Sequence, residues 1–299
     1  MRMNYTETIL CPLCGYKNNV PYAYEKVPFK SLNIRLGINK CLKCSLIYTS
    51  PRLNSEGLAI LYNELYAAHT VSGIYSTSFD TSSKEYLTFK KYVYKILPKG
   101  GRILDIGCGT GNFLSQFKYD KQYVVEGVEC SEYAGEEAES KGIKVHLGDI
   151  LKLNLPSQRY DCVCLLYVLE HFPEPLVLLK EIHRLLKVDG CCLIAVPNFN
   201  YLRLIYMGPI SSLFFGKQTY LHAEEHLQNF TPKTLSAMVN KAGFSIVEWG
   251  VASSFKVGSL PTRIAKKLIS IIIHCLFYLG IHLGGIHLII RKTEAENNK

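Results

Sequence analysis

From residue 102 onward, wholly apolar stretches alternate with amphipathic ones, and this rhythm limits the fold more than any other feature of the chain. RILDI, YVVEGVE, IKVHLGD, YDCVCLLYVL and CCLIAVP read as strands, and GNFLSQFK, EYAGEEAESK and EPLVLLKEIHRLLK between them read as helices. Continuously apolar strands that alternate with helices form a parallel sheet covered on both faces. Further on, TPKTLSAMVNKAG reads as a capped helix, and FSIVEWGV and GGIHLIIRK as two more strands. The expected architecture is therefore α/β and doubly wound.

The turn after the first of these strands, in ILDIGCGTGNFL, carries Gly107, Gly109 and Gly111 behind an acid, Asp105. In open parallel sheets, ligands bind beyond the carboxyl ends of the strands, where the strand order reverses. Dinucleotide binders use G-x-G-x-x-G, whose third glycine lets the helix pack closely. Here the spacing is G-x-G-x-G, and Asn112 stands where that third glycine would be. Asp105 makes the turn a poor seat for a pyrophosphate and a good one for a cation. The alternative is a strand–turn–helix that needs glycine only for tight packing.

These residues resemble the S-adenosylmethionine site of class I methyltransferases, and the resemblance covers about residues 85 to 292. It implies a Rossmann-like, doubly wound, seven-stranded, mostly parallel sheet with an antiparallel last strand. It also implies that Asp105, Gly107, Gly109 and Gly111 hold the methionine end of the cofactor. Glu129, which closes the second strand, would take the ribose; Asp149 and Ile150 would border the adenine; Leu166 would line the pocket. Methyl transfer is an in-line displacement that depends mainly on alignment, and a base is needed only if the acceptor loses a proton. Tyr167, Glu170 and His171, at the exit of the fourth strand, are candidates. His171 is preferred because imidazole titrates near neutral pH, with packing or helix capping as the alternative. HAEEH (His222, Glu224, Glu225, His226) lies in an insert that roofs the substrate in such enzymes. It can act as a proton relay, a metal site or a solvated loop; His226 is the expected substrate contact. Phe199, Tyr201, Tyr206, Phe214, Phe215 and Tyr220 around it can line an acceptor pocket or simply pack.

Ahead of this domain stand CPLCG and CLKCS, whose Cys11, Cys14, Cys41 and Cys44 have the spacing of a closed four-thiolate structural zinc site. A free-thiol pair is the alternative. The other cysteines, at 108, 130, 162, 164, 191, 192 and 275, read as small core residues. Eleven cysteines without the apolar core of a signal peptide at the amino end point to a reducing, cytoplasmic setting. CPLCG…CLKCSLIYTSPRL…LAILYNELY resembles the zinc-binding leader of bacterial methyltransferases of polysaccharide, sugar and secondary-metabolite pathways.

The expected domains are a zinc module over 1–50, a helical substrate-side linker over 51–100, and a methyltransferase domain over 101–299. The last includes an insert at 198–230 and an apolar end at 261–292. Lys and Arg outnumber Asp and Glu by 13 to 6 over residues 1–100 and by 11 to 5 over 201–299, while acids lead by 14 to 10 over 101–200. Basic flanks around an acidic middle suit an anionic partner, whether a phosphorylated acceptor, nucleic acid or a membrane surface, with a solvated face as the alternative. LISIIIHCLFYLGIHLGGIHLII, residues 268 to 290, lacks a formally charged side chain and follows the cationic TRIAKK. A buried helix and strand, an interfacial helix on an anionic bilayer, and a membrane span all remain open for it. The expected function is methylation of a small-molecule or carbohydrate-like acceptor, at oxygen or carbon, with peripheral membrane contact open. A nucleic-acid methyltransferase and a non-catalytic scaffold are the alternatives, and no recognisable nucleic-acid module supports the first.

Overall fold

In the computed structural model, the described residues are 5–26, 34–58, 60, 83–200, 223, 225–251 and 285–293. The chain divides into two compact units: Met1–Thr81 with Phe199–Thr234, and Ser82–Asn198 with Leu235–Lys299.

The second unit is built on a seven-stranded sheet. Its strands are β6 (Gly101–Ile106), β7 (Tyr123–Glu129), β8 (Lys144–Leu147), β9 (Tyr160–Leu166), β10 (Leu186–Val196), β12 (Phe244–Val251) and β13 (Ile286–Lys292). They lie in the order β12-β13-β10-β9-β6-β7-β8. β6, β7, β8, β9 and β10 run parallel, whereas β13 is antiparallel to both β10 and β12. The Rossmann-like sheet with an antiparallel last strand is therefore present. Cys162, Val163, Cys164 and Leu165 of β9 have 0% exposure, as a central parallel strand covered on both faces requires.

The helices follow from local chemistry. α1 (Ser83–Ile96) buries Phe89 and Val93, four residues apart on one face. α2 (Glu132–Ser140) is capped by Ser131, whose hydroxyl accepts from the Ala134 amide at 3.3 Å. α3 (Pro175–Leu185) starts with proline in its first turn and buries the stripe Leu178, Leu179, Ile182 and Leu185. Burying each of those side chains stabilises the fold by about 2 kcal/mol. α4 spans Pro232–Lys241.

Two expectations are corrected. GNFLSQFK forms only a short 3₁₀ turn over Leu114–Phe117, not a helix. Gly107, Gly109 and Gly111 all have left-handed backbones, and the Ser115 hydroxyl donates to the Asn112 carbonyl at 2.9 Å. The fifth strand, expected to start after a turn, begins at Leu186 directly behind α3, with a shift of register between Leu186 and Cys191.

The first unit holds β2 (Asn19–Lys26), β3 (Arg35–Cys41), β4 (Ile47–Thr49) and β11 (Gln228–Asn229) in an antiparallel sheet ordered β11-β4-β3-β2. β1 (Thr6–Glu7) pairs separately with β5 (Arg52–Leu53). Leu36, Ile38, Ile47, Leu53, Phe199 and Ala223 form its core. Phe199, for which acceptor lining and packing were both open, packs edge-on against Tyr22 at 5.5 Å.

Among the described residues no helix is long and apolar enough to cross a membrane. Residues 286–290 of the apolar tail lie in β13, and residues 268–284 lie outside the described residues, as do TRIAKK, Cys275, His222, Glu224, Tyr201, Tyr206, Phe214, Phe215 and Tyr220.

Candidate functional site

The strand order leaves β6 for β7 and β8 on one side and resumes with β9 on the other, so the crevice between the ends of β6 and β9 is the switch point. Asp105, in the last turn-ward stretch of β6, is 3% exposed and pairs in register with Gly127 of β7 and Cys164 of β9. Its Oδ1 has no hydrogen-bond partner among the described residues. Burial raises the Asp105 carboxyl well above the usual range, and the nearby Glu129 carboxylate adds to this. A buried, unpartnered carboxylate is a demand for a cationic or hydrogen-donating ligand.

The three glycines serve the turn differently. At Gly107 a β-carbon would strike Val168 Cγ2 at 2.6 Å, and at Gly111 it would strike Ile143 Cδ1 at 2.4 Å. At Gly109, with φ +52°, it would meet nothing within 4 Å. Gly107 and Gly111 are thus packing glycines, and Gly109 leaves open space for a ligand to approach the backbone. On the outer side, Lys141 Nζ donates to the Thr110 carbonyl at 2.6 Å and to Asn112 Oδ1 at 2.9 Å.

Glu129 closes β7 and is bound to the turn. Its Oε2 accepts from the Gly109 amide at 2.9 Å, and its Oε1 accepts from the amides of Cys130 at 2.8 Å and Ser131 at 2.9 Å. The Gly148 amide donates to the Glu129 carbonyl at 2.7 Å, which brings Asp149 to the end of β7. Asp149 Oδ1 accepts from the Leu151 amide at 3.0 Å, and Ile150 beside it is buried. The Cys130 thiol donates to the Gly148 carbonyl at 3.5 Å. Cys130 is exposed, so it is not the core residue expected; the described cysteines at 108, 162, 164, 191 and 192 are buried.

At the exit of β9, Leu166 is half-buried and pairs with Ala195 of β10. Tyr167 follows with a left-handed backbone, φ +61°, and its hydroxyl donates to Glu85 of α1. Burial and the Glu85 carboxylate hold that phenol well above its usual range. Glu170 is 2% exposed, both its oxygens lack a hydrogen-bond partner among the described residues, and burial pushes its carboxyl up to about 8. His171 Nε2 lies 3.9 Å from Glu170 Oε1. Asp105, the glycines, Glu129, Asp149, Leu166, Tyr167 and His171 therefore all belong to the second unit. His226 belongs to the first, where its carbonyl accepts from Thr49 Oγ1 at 3.2 Å.

Glu85 and Glu126 were not anticipated. Glu126 of β7 is 1% exposed and gathers Arg102 at 2.5 Å, Arg159 at 2.8 Å and His146 at 2.7 Å. The Tyr160 hydroxyl donates to it at 3.1 Å. A charged residue inside the apolar strand YVVEGVE was the available signal for it. Glu85 carried none, since an acid in a helix's first turn usually just complements the dipole.

In the first unit, the sulfurs of Cys11, Cys14, Cys41 and Cys44 all lie within 4.8 Å of one another. Cys11 and Cys44 are 3.5 Å apart, and Cys14 and Cys41 are 3.6 Å apart. A tetrahedral zinc with 2.3 Å bonds to sulfur needs its ligands about 3.8 Å apart, so the four thiols fit it. Both pairs are built alike: the Gly15 amide donates to the Cys11 carbonyl at 2.8 Å, and the Ser45 amide to the Cys41 carbonyl at 3.0 Å. Each turn ends left-handed, at Gly15 (φ +69°) and Ser45 (φ +65°).

Comparison with known proteins places this geometry in a family. A family model described as "Methyltransferase domain" matches residues 82–249, more than half of the chain. The ubiquinone biosynthesis O-methyltransferase of Coxiella burnetii is 32% identical over 123 residues, 39% of this chain and 52% of that one. The chain thus spans about half the length of that relative. The demethylmenaquinone methyltransferase of Staphylococcus epidermidis is 28% identical over 226 residues, 67% of this chain and 92% of that one. Among solved structures, the 1,6-didemethyltoxoflavin-N1-methyltransferase of Burkholderia thailandensis, bound to 1,6-didemethyltoxoflavin and S-adenosylhomocysteine, superposes with a TM-score of 0.54. It is 15% identical, and the match covers 91% of this chain and 100% of that one, a likeness of fold. By its family match, its sheet order and its glycine turn, the chain belongs to the methyltransferase-domain family.

Proposed function

We propose that the protein transfers a methyl group from S-adenosylmethionine to a small-molecule or carbohydrate-like acceptor. The observation that carries this reading is the buried Asp105 carboxylate, with an unpartnered oxygen, beside the open face of Gly109. S-adenosylmethionine, when bound, supplies a methyl group made electrophilic by a sulfonium. Asp105 neutralises its cationic methionine end, and Gly107, Gly109 and Gly111 let the backbone come close. Glu129 spends one lone pair on each of the three amides it holds, which leaves about one of its four to accept a ribose hydroxyl. Asp149 accepts from the adenine amino group, and Ile150 and Leu166 supply apolar walls.

His171 is the base that takes the acceptor's proton at Nε2 when the acceptor is a hydroxyl. The Tyr167 hydroxyl, having given its hydrogen to Glu85, serves as an acceptor only. Small-molecule acceptors are supported by the relatives, whose names point to quinone and toxoflavin precursors. The carbohydrate-like and anionic character is supported by the resemblance of the leader and by the basic flanks. Cys11, Cys14, Cys41 and Cys44 hold a structural zinc, since four thiolates leave it no open position.

The test is release of S-adenosylhomocysteine from S-adenosylmethionine in the presence of nucleotide-linked sugars, hydroxylated quinones, or RNA and DNA. Turnover with a small acceptor supports the reading, and turnover with nucleic acid alone overturns it.

A further inference from the structure

The strongest unassigned feature of the second unit is the contact between α1 and the exit of β9. Glu85 is 8% exposed and accepts the Tyr167 hydroxyl hydrogen. His287 of β13, 1% exposed, lies with Nε2 3.8 Å from Glu85 Oε1 and sets its ring 4.8 Å from that of Phe89, tilted by 59°. Phe89 in turn meets Tyr167 edge-on at 6.4 Å and Phe113 at 6.3 Å, while Tyr86 meets Phe113 at 6.2 Å. The first turns of α1 therefore touch both sides of the switch-point crevice: Phe113, just past the glycine turn of β6, and Tyr167, just past β9.

Tyr167 is a bulky residue with φ +61°, a conformation that side chains of its kind adopt only when their surroundings impose it. Two contacts impose it here. The Tyr167 amide donates to the Ala195 carbonyl of β10 at 2.8 Å, and its hydroxyl is tied to Glu85. The backbone reversal has a direct result at the ligand turn. It sets the next residue, Val168, against the bare α-carbon of Gly107, in the space a β-carbon would occupy at 2.6 Å.

We propose that Glu85 is a positioning residue for the glycine turn: it locks Tyr167 in its left-handed conformation, which seats Val168 on Gly107 and fixes the floor of the ligand site. The inference rests on the proposed function only for the identity of the ligand the turn holds.

The test uses two readouts on the full chain: amide hydrogen exchange across Gly107–Gly111 without ligand, and calorimetric affinity for S-adenosylhomocysteine. The variants are Glu85→Leu, Glu85→Gln, Tyr167→Phe and the double Glu85→Leu/Tyr167→Phe. Glu85→Leu and Tyr167→Phe should each speed exchange across the turn and weaken binding about tenfold, the effect of losing one hydrogen bond to a charged group. The double variant should be no worse than either single one, because both remove the same link. Glu85→Gln should keep wild-type behaviour, since its amide oxygen accepts the same hydrogen. Wild-type exchange and affinity in both single variants, additive losses, or a Gln variant as impaired as the Leu variant would each overturn the proposal. So would a lowered Tm with exchange and affinity unchanged, the mark of a merely structural contact. If Glu85→Leu fails to fold, Tyr167→Phe and Glu85→Gln still decide. Should the wild type not bind S-adenosylhomocysteine, the proposed function fails while the exchange measurement still judges this link.

Discussion

Replacing Asp105 with asparagine should make the protein more stable and worse at its task. The carboxylate is 3% exposed, its Oδ1 has no partner among the described residues, and Glu129 is a like charge nearby. Asparagine leaves that atom unpartnered but carries no charge for burial and Glu129 to disfavour, and a buried unpaired charge costs more than the about 1–3 kcal/mol of a neutral polar atom. At about 2–4 °C per kcal/mol for a unit of this size, Asp105→Asn should raise Tm by several degrees at neutral pH. The pH dependence follows from the direction of the shift. A carboxyl raised in the folded state favours folding below its unfolded value, near 3.9, and loses that contribution as pH rises through the folded value. The gap in Tm between variant and wild type should therefore open as pH climbs above about 4 and close below it. Binding should move the other way. Loss of a charge-assisted hydrogen bond of about 1.5–3 kcal/mol weakens S-adenosylhomocysteine about 10- to 100-fold. Differential scanning calorimetry from pH 4 to 8, with titration calorimetry at pH 7.5, measures both. A variant that is less stable at neutral pH, or that binds as well as the wild type, would refute the reasoning.

The other predictions are separate tests of the same site and of the cysteine module. Gly111→Ala should destabilise the protein by several kcal/mol, because its β-carbon would stand 2.4 Å from Ile143 Cδ1; Gly109→Ala, facing open space, should lose ligand affinity with only about 1 kcal/mol of stability. Denaturant titrations and ligand titrations of the two variants separate these outcomes, and equal stability losses would contradict the division. Elemental analysis should find one zinc per chain, and Cys41→Ser or chelation should remove it and speed hydrogen exchange across residues 11–49. Ser45→Gly should stabilise that module by about 1 kcal/mol, since φ +65° suits glycine. Glu126, pushed down to about 2 by His146, Arg159 and Arg102 against the opposing effect of burial, contributes stability above its unfolded value near 4.3. That contribution, about 3 kcal/mol, should fade as pH falls from about 4.3 toward 2, and Glu126→Gln should abolish this part of the acid dependence seen by calorimetry.

Much of the fold was legible because the strands declare themselves. RILDI and YDCVCLLYVL are apolar on both faces, which only a covered parallel sheet explains, and β13 carries enough apolar residues to stand out beside β10 and β12. The glycine turn was legible as a turn, since three glycines close behind a strand free the backbone to reverse, and all three have left-handed backbones. What the sequence hid was whatever depends on residues far apart in the chain. Glu85 and Tyr167 are 82 residues apart, and nothing local in SKEYL marks its acid as buried. The helix expected at GNFLSQFK failed because local side-chain bonds and left-handed glycines outweighed an apolar pattern suited to a helix. The equal dress of the three glycines likewise concealed that only Gly109 faces open space.

The most direct test of the central claim is a calorimetric titration of the zinc-loaded wild-type protein with S-adenosylhomocysteine. One site per chain with micromolar affinity is expected, and a folded protein that shows no binding would contradict the assignment of the glycine turn to this cofactor.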